Sequence, residues 1–191
     1  MLATALPAAA QPKDPDWPCV QRLVPTLSPG QIWQGPPIDD LGAAWRDDPE
    51  VAALVERVTS RRMSLEDATA ATDRFAGELR HDRTRRLTLF FAGTFEQINE
   101  SRMQAIAAIR RYARTQVVLI DRLSAQVREI ENLEADLAAD AERIRDLGES
   151  IEMDRRIFAD RRRALRPLCE QPVLLEERLG VLARAAMVHL D

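Results

Sequence analysis

Lysine is almost missing from this chain: of its 27 basic residues only Lys13 is a lysine, and the rest are arginine. A coding bias toward arginine accounts for that without any function. Glycine is scarce as well, 7 of 191 residues, which argues against turn-rich sandwiches and barrels. The only two histidines, His81 and His189, stand at no metal-ligand spacing such as H-x-x-x-H or E-x-x-H. His189 falls instead in the last turn of an expected helix, where a cation is favourable. No Gly-rich turn precedes a Lys-Ser/Thr pair, so "AGTF" at 92–95 is not a phosphate loop. No Ser/His/Asp or Cys/His arrangement is marked. These absences point away from an enzyme, and no cofactor or metal is expected. The longest apolar tract, "LTLFFAG" at 87–93, is far below the ~20 residues that cross a bilayer. The net charge of −4 and the lack of aromatic stacking platforms argue against a nucleic-acid binder.

What is present favours helices. Hydrophobic residues make up 46% of the chain and charged residues 30%, a mixture that supports an all-α core. The first ten residues, "MLATALPAAA", read as the end of a secretory signal peptide with an A-x-A site, although the basic n-region is absent. A late start codon or an Ala-rich disordered terminus is the alternative. Export would place the chain in the periplasm or outside the cell; otherwise it is cytoplasmic.

An oxidising compartment permits a bond between Cys19 and Cys169. Each cysteine lies beside proline, in "WPC" and "RPLCEQP". Neither belongs to a C-x-x-C or haem-attachment motif, so the expectation is structural, against the alternative of two unrelated buried thiols.

Residues 11–48 carry seven of the eleven prolines. Proline removes a backbone donor and disfavours helix, while "SPGQ" at 28–31 suits a type II turn. The segment is too apolar to be free, and Trp17, Trp33 and Trp45 are its expected anchors. This predicts an extended strap. A first helix should begin with Asp48 as N-cap and Pro49 inside it, burying Val51, Leu54, Val55 and Val58. A second should open at Ser64 in a capping-box-like "SLED", with Leu65, Ala68, Ala71, Phe75 and Leu79 on one face.

From about 84 to 166 no proline interrupts the chain. Counting by sevens from Ile109 gives Gln116, Leu123, Ile130, Leu137, Ile144, Ile151, Phe158 and Leu165, as a coiled-coil seam requires. The companion row moves from Ala113, Ile120 and Val127 to Leu119, Leu133, Leu147 and Leu168, so the stripe rotates near 127–133. A long rod is expected, with Gly148 as the one place to fold back into a hairpin. "RPLCEQP" should end the rod and Pro172 should start a last helix burying Val173, Leu175, Leu179, Leu182 and Ala186.

The expected architecture is all-α: a strap at 11–48, a helical head at 49–100, a rod at 101–166 and a C-terminal helix at 167–191. The expected function is a non-enzymatic exported scaffold or adaptor. Its partner interface would use Ile109, Leu123, Ile130, Leu137, Ile144, Ile151, Phe158 and Leu165, covered by a neighbouring helix of this chain or by another protein. That protein could be a second copy in a homo-oligomer. A small helical module with a Trp-lined ligand site is the alternative; an enzyme of unknown type is the remotest. The arginines from Arg155 to Arg166 offer a weaker surface for an acidic partner or lipid headgroups, against a plain solvated face.

Overall fold

The computed structural model describes residues 14–135 and 140–190. It is all-α, with no strand among the described residues. Four helices follow in order: α1 Pro49–Thr59, α2 Leu65–Glu78, α3 Arg83–Glu134 and α4 Ala141–Met187. The chain divides into two compact units. One runs from Gln21 to Ala108 and resumes at Ala164; the other joins the segment ending at Val20 to Ile109–Arg163. No helix is long and apolar enough to cross a membrane, among the described residues. The first ten residues, and with them the expected cleavage site, lie outside those residues.

In the first unit the helix starts follow the sequence. The Asp48 carboxylate accepts from the backbone N–H of Glu50 and Val51, both at 3.2 Å, ahead of Pro49. Arg86 grips the same carboxylate at 2.7 and 2.8 Å and reaches Glu50 at 2.7 Å. These bonds hold the Asp48 carboxyl below its ordinary range, against the opposing pull of burial. Ser64 Oγ accepts from Asp67 N at 3.0 Å and donates to the Asp67 carboxylate at 2.7 Å. This differs from a standard capping box, because the shorter Asp side chain meets the cap hydroxyl.

The core of this unit gathers Val51, Leu54, Val55 and Val58 from α1 with Ala68, Ala71 and Leu79 from the α2 region. Leu87, Phe90, Phe91 and Ile98 of α3 fill its centre with Leu175, Leu179, Leu182 and Ala186 of α4. Arg178 donates to the carbonyls of Val58, at 2.8 Å, and Met63, at 2.7 Å. The first of these belongs to the last turn of α1, whose carbonyls have no partner inside the helix.

Two tryptophans of residues 21–48 pack into the core of this unit. Trp33 stacks on Phe91 with ring centroids 4.5 Å apart, and its Nε1 donates to Pro36 O at 2.9 Å. Trp45 Nε1 donates to Glu96 at 2.8 Å, and Arg46 lies over the Trp45 ring while reaching Glu96 at 2.7 Å. Burial pushes the Glu96 carboxyl up, but the bonds from Trp45 and Arg46 outweigh it and the net shift is downward. Trp17 belongs to the other unit and is half-buried.

Gly93 lets Trp45 approach α3. A Cβ at Gly93 would stand 2.6 Å from Trp45 Cδ2, against the ring of a residue that is itself 2% exposed. Gly93→Ala should therefore destabilise the protein by about 2–3 kcal/mol. Gly77→Ala in α2, where a Cβ meets nothing within 4 Å, should instead stabilise by about 0.5–1 kcal/mol. Thermal melts of both variants check the pair; equal and small effects would refute the close-packing account.

Two sequence expectations fail. The rod is not one helix: α3 ends at Glu134 and α4 starts at Ala141, while Gly148 lies within α4. A helical glycine costs about 1 kcal/mol, too little to stop a helix held by packing. Asp140 supplies the real start signal, accepting from the N–H of Glu142 at 2.8 Å and Arg143 at 3.4 Å. The second failure is at "RPLCEQP", which ends nothing: α4 runs through Pro167 and Pro172. Each proline removes one donor, but this stretch is tied down by other bonds. The amides of Gln21 and Gln171 donate to the carbonyls of Cys169 and Pro167. Cys169 is thus inside a helix rather than at a corner, and Val173 is 46% exposed rather than buried.

Both cysteines are disulfide-bonded, Cys19 with Cys169. No group of three or more His, Cys, Asp or Glu could hold a metal, among the described residues.

Candidate functional site: an arginine groove on the helical hairpin

In the second unit, α3 from Ile109 onward and α4 up to Arg163 form an antiparallel hairpin. Tyr112 Oη donates to Arg161 O, and Arg122 pairs with Asp154. Gln126 Nε2 donates to Ser150 Oγ at 2.8 Å, and Arg143 meets Glu129 at 2.6 Å. As one partner number rises the other falls, which is the signature of antiparallel neighbours.

The sevenfold row forms the inner side of this hairpin. Ile109 and Ile151 are buried, and Leu123, Ile130, Ile144 and Phe158 are half-buried. Leu165 is half-buried in the first unit, and Leu137 lies outside the described residues. The companion positions Leu119 and Leu147 are also buried, each 5% exposed. The stripe is therefore covered within the chain, one helix serving as the other's neighbour. Polar atoms interrupt it: Gln116 Oε1, Gln126 Oε1 and Asp154 Oδ2 are buried and accept no hydrogen bond from the described residues.

Beside the seam lies an open groove of about 500 Å³. Val118 and Leu119 of α3 and Ile157 of α4 floor it; Arg111, Arg114, Arg122 and Arg161 rim it. The positions follow from helical spacing. Residues 111, 118 and 122 stand at i, i+7 and i+11 on α3, and residues 153, 157 and 161 at i, i+4 and i+8 on α4.

The arginines differ in their engagement. Arg114 meets Asp16 at 2.7 Å, and Arg122 binds Asp154, whose side chain is 6% exposed. Arg111 and Arg161 make no ion pair through their guanidinium groups, among the described residues. Guanidinium groups arranged over an apolar floor suit bidentate capture of carboxylate or phosphate. Thr115 adds a hydroxyl to the lining.

Half of the arginines in the dense tract are paired with nearby acids. Arg155 pairs with Glu152 at 2.9 Å, Arg163 with Asp160, and Arg166 with Glu170 at 3.1 Å. Only Arg161 of that tract lines the groove. Arg111, Arg114 and Arg122 were not singled out from the sequence, since they are spread over three turns and meet Arg161 only through the hairpin. Trp33 and Trp45 have no face to offer a ligand, being 5% and 2% exposed with their ring nitrogens satisfied. His189 Nε2 donates to the Asp73 carboxylate at 3.0 Å, a pair on the surface. No family model, curated protein or solved structure matches this chain.

Proposed function

We propose that this chain is a non-enzymatic adaptor that binds a protein partner on the flank of its helical hairpin, in an oxidising compartment. The observation that carries the reading is the exposure of large aliphatic side chains there: Val118 is 68% exposed and Met153 55%. Val118 lines the groove, and Met153 lies one helical turn before the lining residue Ile157 on α4. Aliphatic surface beside arginines is the composition of an interface centre rather than of a solvated face. Because the seam is covered within the chain, a partner would meet its flank instead of the residues from Ile109 to Leu165. The disulfide supports export, since such bonds are rare in a reducing cytosol.

Photo-cross-linking tests the proposal. A photoreactive side chain placed at Val118 or at Met153 should give a discrete adduct in the source cells. The same group at Arg145, a charged and exposed site on α4, should not. The adduct should then be rebuilt from purified components. Absence of adducts at both sites, or equal adducts at all three, would remove the adaptor reading. An adduct of two identical chains would replace it with self-assembly.

A further inference from the structure

Resting on that reading, we infer that the groove receives an acidic amphipathic helix of the partner, with carboxylates along one side and aliphatic residues on its inner face. Charge is the first reason. The rim carries four guanidinium groups, and those of Arg111 and Arg161, on opposite helices, hold no carboxylate among the described residues. The chain itself shows how this face takes acids. In the segment Asp14-Pro15-Asp16, the first carboxylate meets Arg110 at 2.6 Å and the second meets Arg114 at 2.7 Å. Those two arginines are one turn apart on α3, and Arg114 is also one of the groove's lining residues.

Length is the second reason. Arg111 and Arg122 are eleven positions apart on α3, or roughly 16 Å along its axis. One phosphate or carboxylate cannot bridge that span. A helix with acids at i and i+11 and an aliphatic residue at i+7, opposite Val118, can, because its rise per residue equals that of α3. The floor is the third. Val118, Leu119 and Ile157 form a strip between two antiparallel helices, the seat that a third helix fills with side chains one turn apart.

The test uses two synthetic peptides of about 18 residues, roughly five turns. Both carry leucine at helical spacing; one has glutamate at the flanking positions and the other lysine. Vesicles of equimolar phosphatidylcholine and phosphatidylglycerol form a third arm. Fluorescence anisotropy should show binding of the glutamate peptide alone, weakening as salt is raised. Circular dichroism should show that peptide gaining helix on binding. Arg111→Glu/Arg161→Glu should weaken it about tenfold or more, and Val118→Asp should weaken it with the rim intact. Arg162→Glu, outside the groove, should leave it unchanged. Helicity and melting of each variant establish that it is folded. The inference is overturned if both peptides bind alike, if neither binds, if the bound peptide stays non-helical, or if the vesicles bind through the same arginines. Cross-links from Val118 that persist in the Arg111→Glu/Arg161→Glu chain would remove the acidic helix and leave the adaptor standing. Loss of cross-links in the unaltered chain would remove the adaptor itself.

Discussion

Reducing the bond between Cys19 and Cys169 should lower the melting temperature by roughly 10–20 °C. The two cysteines are 150 positions apart, so their bond closes a loop that takes in most of the chain. In the chain-entropy description such closure removes about 5 kcal/mol of disorder from the unfolded ensemble. For a protein of this size each kcal/mol moves the midpoint by about 2–4 °C. Cys169 is 8% exposed, so a reductant must await local opening before it reaches that sulfur. Melts with and without reductant measure the effect, and Cys19→Ser/Cys169→Ser should reproduce the reduced form. A difference of less than about 2 °C would show that the bond constrains little that packing does not already constrain.

Replacing Arg102 should produce the next largest loss. Its side chain is 2% exposed yet carries a full charge, satisfied from two directions. Nε bonds Glu176 of α4 at 2.5 Å, while the Nη atoms donate to the carbonyls of Val24 and Pro25 in the strap. Arg102→Met removes all of these bonds at once. The strap loses two donors, and Glu176, 37% exposed, is left to rehydrate. The expected cost is about 3 kcal/mol, at the lower end of what breaking a buried pair brings, because the surviving carboxylate can reach water. Arg102→Lys keeps the charge but lacks the fork that serves both partners, and should lose nearly as much. Arg102→Met/Glu176→Met should recover part of the loss by removing the orphaned charge. Urea unfolding gives the magnitudes. Trypsin gives the location: cleavage after Arg22 should accelerate in the Met and Lys variants if the strap is held as described. Unchanged cleavage and a loss under about 1 kcal/mol would refute that role.

The helix faces were legible in the sequence because burial follows period. Val51, Leu54, Val55 and Val58 could be read off α1, and of the sevenfold row Ile109 and Ile151 are buried in the hairpin. What covers that line was not legible. Periodicity says which side of a helix is apolar and nothing about the sequence distance to its neighbour, so a rod and a hairpin look alike. Glycine and proline misled for a related reason. Gly148 and Pro167 carry local penalties of a size that tertiary contacts override, whereas Asp140, which does mark a boundary, is one acidic residue among many. Gly93 carried no signal in the sequence beyond lying in a fragment that is not a phosphate loop; its role is set by Trp45, nearly fifty positions earlier. The groove escaped for want of density: Arg155–Arg166 is the denser tract, yet three of its six arginines are paired with near neighbours in sequence and only Arg161 lines the groove.

The polar atoms inside the hairpin have a consequence for its alignment. A wholly aliphatic seam repeating every seven positions would be nearly indifferent to a slide of one heptad. Here Asp154 is sunk among hydrocarbon, 4% exposed, and meets Arg122 from across the hairpin. A slide carries Arg122 about 10 Å away and strands a formal negative charge without its counter-ion. Gln116 and Gln126 would likewise meet new neighbours. The two helices are thereby keyed like a ratchet with a single tooth, and the spacing of Arg111 and Arg161 across the groove inherits its constancy from that key.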